Sequence, residues 1–268
     1  MSPRPPRRLL SHALGATLIT ALAVTAFAAP ASAATSASTA EAMIIGWVNQ
    51  DRAAAGLRPL RGDGNLAYIA GVRASRMASN NTLSHTVSGN LVNQLSARSV
   101  QWYRYGESVG WSSAAWTVDA ARAIYRGWMG SSAHRALLLS SRFNYIGVGL
   151  AYRSANGRTY GSAVMTESVD HTGAKAGITA AQRSGDDVSW RWSGYDVRLQ
   201  THTAGLRDFD VQYRVNSGDW RTIRNNTTAT SLTLRDRGHG RYYAIRVRAT
   251  DRRGNVGPWT AQSRLWVP

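Results

Sequence analysis

The sequence predicts an α+β domain followed by an all-β sandwich. Three observations predict it. Apolar residues recur with helical spacing only in the first half. They alternate with polar residues only in the second half. A run of small residues around 171–176 separates the two textures. The length of 268 residues suits two ordinary domains, and a hydrophobic content of 43% is enough for packed cores.

Residues 1–33 read as a signal peptide. Arg4, Arg7 and Arg8 form a positive start, an apolar run extends from Leu14 to Ala29, and Ala31-Ser32-Ala33 is a small-residue cleavage site. The run is shorter and richer in small residues than the ~20-residue stretch a spanning helix needs. No later stretch is long and apolar enough, so no transmembrane segment is expected in the mature chain. The expected location is secreted, with cell-wall association open. The Arg7-Arg8 pair leaves both the general secretory and the twin-arginine routes open. Residues 34–40, rich in Ala, Thr and Ser, read as a flexible leader.

Residues 41–170 form the first domain. A helix carries Ile44, Trp47 and Val48 and stops at Gly56. A second starts at Asp63, a good N-cap, buries Leu66, Ile69, Ala70, Ala74 and Met77, and stops at Asn80-Asn81. A third spans about Ala115 to Met129. A short fourth spans Ala133 to Leu139, capped by Ser131 or Ser132. Tyr145 to Tyr152 and Arg158 to Ser168 read as a hairpin around Asn156-Gly157. Residues 171–176 read as a linker. Over 177–268, Phe209-Val211-Tyr213-Val215, Leu232-Leu234 and Tyr243-Ile245-Val247-Ala249 alternate with polar residues between Gly/Asn/Asp turns, as in an antiparallel sandwich.

There are no cysteines, which excludes disulfides, thiolate metal sites and cysteine nucleophiles. The net charge of +17, of which Arg4, Arg7 and Arg8 contribute three, falls to +14 beyond residue 33. For an exported chain this points away from nucleic acid and toward anionic cell-wall polymer, glycan or lipid. The chemically versatile residues of the first domain are few. His85 follows the second helix, Glu107 sits in Tyr105-Gly106-Glu107-Ser108, and His134 in Trp128-Met129-Gly130-Ser131-Ser132-Ala133-His134. No G-x-S-x-G elbow accompanies Ser131 or Ser132, so neither is expected as a hydrolase nucleophile. His171, near the linker, reads as solvated.

Several pieces occur together in one order: Asn49-x-x-Arg52-x-x-x-Gly56-Leu57-x-Pro59-Leu60, Leu66-x-x-Ile69-Ala70, Leu83-Ser84-His85, Gly106-Glu107, Trp128-x-x-Ser131-x-x-His134-Arg135 and Ile146-Gly147-Val148-Gly149. From Ile44 to about Met165 the chain resembles the bacterial branch of the CAP/SCP superfamily of secretory, antigen 5 and pathogenesis-related proteins. The resemblance implies an α-β-α sandwich with a cleft lined by two histidines and two acids. It assigns His85 and His134 as the histidines and Glu107 as the first acid. Ser131 stands where the second acid would be, and Ser108 where the family usually has Asn. Residues 177–268 resemble a fibronectin type III or related immunoglobulin-like module, with Trp192 as core tryptophan and Tyr243 at the tyrosine corner.

Two imidazoles and a carboxylate suit Zn2+ or another divalent metal, with His85, His134 and Glu107 as ligands. The expected function is therefore a secreted, non-catalytic binding protein. Its cleft, lined by His85, Glu107, Ser131 and His134, holds a metal or small ligand, and its second module acts as a spacer or dock. The alternative is a metal-dependent, peptidase-like hydrolase using Glu107, His85 and His134. Trp102, Tyr103, Tyr105, Trp111 and Trp116 near Glu107 read either as a stacking wall for sugar or lipid or as ordinary packing. Arg214, Arg246 and Arg248 read as an outward basic strip, either solvated or weakly attractive to anionic polymer.

Overall fold

A computed structural model describes residues 36–114, 116 and 118–268. The expected signal peptide, residues 34–35 of the expected leader and Ala115 lie outside the described residues. The first module contains α1 (Ala37–Ala54), β1 (Arg61–Gly62), α2 (Gly64–Asn80), α3 (Leu91–Ala97), β2 (Arg104–Ser112), α4 (Val118–Gly130), α5 (Ser132–Leu138), β3 (Tyr145–Arg153) and β4 (Arg158–Glu167). Its sheet has the order β1-β3-β4-β2, so β2 is an edge. The pairs β3–β4 and β4–β2 are antiparallel, and β1 joins β3 in parallel.

Helices cover both faces of this sheet. On one face α1, α4 and α5 bury Ile44, Val48, Ile124, Trp128 and Leu138 against Ile146, Val148, Leu150, Ala163 and Met165. On the other, α2 and α3 bury Leu66, Ile69, Leu91 and Leu95 against Tyr145 and Val164. Odd and even residues of β3 thus serve opposite layers, which makes the α-β-α sandwich. Both faces being covered, β3 and β4 are apolar almost throughout.

Gly147 and Gly149 set the height of α2 above the sheet. A Cβ on Gly147 would lie 2.0 Å from the Ala67 nitrogen, and one on Gly149 2.1 Å from the Gly71 nitrogen. The helix backbone therefore rests directly on β3. Asp63 caps this helix, accepting from the Leu66 N–H at 2.8 Å, and Asn81 ends it in the left-handed region at φ 51°. Arg52, fully buried, donates to the carbonyls of Arg58, Leu138 and Ser140. Asn49 bonds Leu60 in both directions. These two motif residues pin the loop after α1 and have a structural role.

Several elements differ from expectation. The helix expected after the leader begins inside it, at Ala37. Ser36 caps it, accepting from the Thr39 N–H, and Ala40 is buried. α3 and β2 were not expected as elements. Ser131 occupies the N-cap position of α5, but its hydroxyl makes no capping bond.

The second module has seven strands: β5 (Lys175–Ser184), β6 (Asp187–Tyr195), β7 (Leu206–Val215), β8 (Arg221–Thr227), β9 (Ser231–Leu234), β10 (Arg241–Asp251) and β11 (Ser263–Val267). They form antiparallel sheets of order β11-β10-β7-β8 and β5-β6-β9. Trp190, Trp192, Phe209, Ile245 and Val247 fill the core. The Tyr243 hydroxyl donates to the Gly238 carbonyl at 3.2 Å, the bond a tyrosine corner requires.

The expected linker at 171–176 is ordered. β5 already begins at Lys175, and Ala174 is fully buried. His171, expected to be solvated, keeps a 40% exposed side chain but donates from Nε2 to Asp63 Oδ2 over 2.8 Å and stacks on Tyr145 with ring centroids 4.1 Å apart. The loop between β6 and β7 reaches back to the first module. Leu199 packs with Leu66 and Leu95, the Arg58 N–H donates to Gln200 Oε1, and Asn144 donates to the Thr201 carbonyl.

The resting of α2 on β3 predicts that Gly149→Ala costs about 3 kcal/mol, the upper range for overpacking. Gly46→Ala, on exposed α1 with nothing within 4 Å of its Cβ, should be neutral or stabilising by up to ~1 kcal/mol. Urea midpoints of the two variants measure both effects.

Candidate functional site

The apolar stripe of α2 runs through Leu66, Ile69, Ala70, Ala74 and Met77, all buried. Position 73 lies on the same stripe, and there the chain has arginine. Arg73 is 2% exposed. Each of its five N–H groups finds an acceptor. Nε donates to Glu107 Oε1 at 2.6 Å, and Nη2 to Glu107 Oε2 at 2.8 Å and to the His85 carbonyl. Nη1 donates to the Gly89 carbonyl at 3.3 Å and to Gln94 Oε1 at 3.0 Å. One side chain thus holds α2, the 81–90 loop, α3 and β2 together. A bidentate guanidinium–carboxylate pair fixes both distance and orientation.

Glu107 stands on β2 opposite Val164 of β4 and faces α2. Its side chain is 5% exposed. Besides Arg73 it accepts from the Ser162 hydroxyl at Oε1 and from His85 Nδ1 at Oε2, both at 2.8 Å. Burial opposes its ionisation. The Arg73 guanidinium, His85 and Ser162 outweigh that and hold its carboxyl below the usual range. An ionised carboxylate only accepts, so His85 carries a proton on Nδ1, and in the neutral ring Nε2 is the lone-pair nitrogen. The His85 ring is 54% exposed.

His134 sits on α5, in the helix layer opposite α2. Burial and then the nearby His85 lower its pKa below the usual imidazole range, which keeps the ring neutral near pH 7. The two histidines, from different layers, therefore approach each other at the β2 edge of the sheet. Ser131 is half-buried one turn before His134. Its hydroxyl has no hydrogen-bond partner among the described residues.

The expectation that Glu107 itself ligates a metal does not fit this arrangement. Both its oxygens are spent on Arg73, Ser162 and His85. Among the described residues, the only three acidic or imidazole side chains with ligand atoms within 4.8 Å of one another are Asp170, Asp196 and Asp251. Glu107 instead buttresses His85 from behind, the role a carboxylate plays toward a metal-binding imidazole. Sequence reasoning missed Arg73. The available signal was a cation on the buried stripe of a helix, which has to meet a buried anion.

The aromatic residues around Glu107 do not form one wall. Trp102 packs on the α2–α3 core and edge-on against Tyr105. Tyr103 stacks on His202, Trp111 lies under Arg158, and Trp116 packs on the α1–α4 core. The expected basic strip is a ladder. Arg214 and Arg246 lie over Trp220, and Arg246 and Arg248 over Trp259, each 4.6–4.7 Å from the ring centroid. Arg248 also pairs with Asp210 at 2.8 Å.

Arg73→Met leaves the Glu107 carboxylate buried without its cation and should cost about 3–5 kcal/mol in denaturant unfolding. Arg73→Lys, which keeps the charge but not the fork, should cost less. The pH dependence has a definite sign. Because the folded pKa of Glu107 is depressed, its contribution is complete above an unfolded carboxylate pKa of about 4.3 and is lost as pH falls through the lower folded value. Glu107→Gln should flatten that part of a stability–pH curve.

Residues 45–166 match the CAP family profile, described as the Cysteine-rich secretory protein family. An uncharacterized membrane protein of Bacillus subtilis, YlbC, is 31% identical over 115 residues, 42% of this chain and 32% of its own. The chain thus matches about a third of that relative's length. An extracellular protein containing a SCP domain from Bacillus anthracis is 24% identical with a TM-score of 0.42, covering 47% of this chain and 40% of that one. A cysteine-rich secretory protein from Staphylococcus aureus is 26% identical with a TM-score of 0.37, covering 48% and 38%. A Fn3-like protein from Clostridium thermocellum is 21% identical with a TM-score of 0.27, covering 37% and 96%. Residues 45–166 match the CAP domain of the Cysteine-rich secretory protein family, and an all-β module of two antiparallel sheets follows them.

Proposed function

We propose that the protein is an exported binding protein whose cleft presents two neutral imidazoles, His85 and His134, to a divalent metal or a small ligand. One observation carries this reading. Glu107 holds the Nδ1–H of His85 at 2.8 Å, which turns an unencumbered Nε2 toward solvent beside a second neutral histidine. Zn2+ is the divalent ion such ligands suit, and waters would complete its shell. His85 and His134 would hold the ion, while Glu107 and Arg73 orient His85. When bound, the ion would supply a positive centre for an anionic or carbonyl group.

Export rests on the character of residues 1–33. No helix among the described residues is long and apolar enough to cross a membrane. The β-sandwich serves as a spacer or dock, and the chain's excess of arginine gives it a salt-screened attraction for anionic cell-wall polymer, glycan or lipid. The hydrolytic alternative needs Glu107 as a base with a free lone pair. A carboxylate already accepting four hydrogen bonds lends that no support.

Calorimetric titration with Zn2+ tests the reading. One site is expected, weakened at least tenfold in both His85→Ala and His134→Ala. Unchanged heats in both variants would remove the metal, and chelator-sensitive cleavage of a peptide library would restore the hydrolase.

A further inference from the structure

A second group of ionisable side chains lies away from the cleft. Asp170 follows β4, Asp196 directly follows β6, and Asp251 ends β10. One oxygen of each lies within 4.8 Å of the other two. The residues are 2%, 8% and 0% exposed. They meet where the CAP domain runs into the sandwich.

Every donor that reaches these carboxylates is neutral. Asp170 Oδ1 accepts from the Tyr145 hydroxyl and from the Thr172 N–H and hydroxyl, and Oδ2 from the Ala204 N–H. Asp251 accepts from the N–H groups of Arg253 and Asn255 and from the Asn255 amide. Asp196 Oδ2 accepts from the Gly205 N–H at 2.7 Å. Among the described residues, no Arg, Lys or His lies within 4.0 Å of any of the three as an ion-pair partner. The nearby His171 donates Nε2–H to Asp63 and Nδ1–H to the Val169 carbonyl; Asp63 is the main cause of its raised pKa, with Asp170 contributing at longer range, so its charge is engaged outside the trio.

Two facts point to a missing positive partner. Three buried negative charges at this separation repel one another, and neutral dipoles do not cancel that repulsion. Independently, Asp196 Oδ1 is buried without a well-formed hydrogen bond among the described residues, which is rare for a carboxylate oxygen out of water. Burial, followed by Asp170 and Asp251, raises the Asp196 carboxyl above its usual range.

We propose that Asp170, Asp196 and Asp251 form a site for a calcium-type divalent cation at the seam between the CAP domain and the sandwich, with Asp196 Oδ1 as its open ligand. The donor set is oxygen only, which selects hard cations over zinc. Carboxylate oxygens within 4.8 Å of one another can share one ion at calcium–oxygen bonds of about 2.4 Å, and calcium accepts a shell of protein oxygens where magnesium keeps several of its waters. Such an ion ties three segments together: the end of the CAP domain, the loop after β6 and the turn after β10. The Asn255 amide, which also donates to the Asp170 carbonyl at 3.0 Å, already bridges two of them. The ion therefore fixes how one module is carried on the other, independently of what occupies the histidine cleft.

The test uses the full chain after chelator treatment. Calorimetry with Ca2+ should give one site, and thermal unfolding should shift upward by roughly 5–10 °C at calcium 100-fold above Kd. Asp196→Asn keeps an acceptor for the Gly205 N–H and should abolish both signals. His85→Ala should keep both. As a second measurement on the unaltered chain, Tb3+ emission excited through Tyr145, whose hydroxyl is 3.1 Å from Asp170 Oδ1, should be quenched when Ca2+ displaces the ion. No heat and no thermal shift in the unaltered chain would overturn the proposal. So would a shift that survives Asp196→Asn, or Tb3+ emission that Ca2+ leaves unchanged. If Asp196→Asn does not fold, the Tb3+ displacement decides alone.

Discussion

The buried ion pair between Arg73 and Glu107 is the constraint on which the first module's cleft depends. A guanidinium has five donors and no way to shed its charge. Once it is inside, each donor has to be matched, and here the matches come from three separate segments. Glu107 of β2 takes two bonds, His85 and Gly89 of the loop take two, and Gln94 of α3 takes one. The 81–90 loop is therefore held by a charged, fully hydrogen-bonded node and needs little apolar packing of its own. Gly147 and Gly149 make this possible by letting the α2 backbone lie on β3, which lowers Arg73 to the level of the sheet edge.

That node also decides what the cleft offers. A carboxylate saturated by Arg73, Ser162 and His85 has no lone pair left to act on a ligand directly. Its influence passes through His85, whose tautomer it sets and whose Nε2 it leaves open. His134 arrives from the other helix layer, made harder to protonate by its own burial and by His85. The cleft thus presents nitrogen lone pairs, and its carboxylate stands behind them.

The second module solves a different electrostatic problem. Its outward arginines are spread over Trp220 and Trp259 rather than left free. Each guanidinium covers an indole face while its edge stays near water. At the other end of the module the balance reverses: among the described residues, three carboxylates meet with no Arg, Lys or His at ion-pair distance. Charge is paired on the sheet face and left unpaired at the seam.

Much of the architecture was legible in the sequence. Periodicity found α1, α2, α4, α5, the β3–β4 hairpin and three of the seven sandwich strands, β7, β9 and β10. It missed β2, missed α3, whose seven residues show too few turns for a period, and missed the start of β5, whose Ala-Gly composition reads as linker because this mostly exposed strand buries little. His85, Glu107 and His134 could be singled out by residue type and motif. By itself the sequence determined which residues are apolar, at what spacing, and which few carry chemistry, because local propensity and periodicity depend only on neighbours. Tertiary structure alone decided that Arg73 meets Glu107, that His85 stands between Glu107 and the solvent, and that Asp170, Asp196 and Asp251 converge. Those are meetings of residues 22 to 81 positions apart in the chain, fixed by how layers pack and by nothing in their immediate sequence.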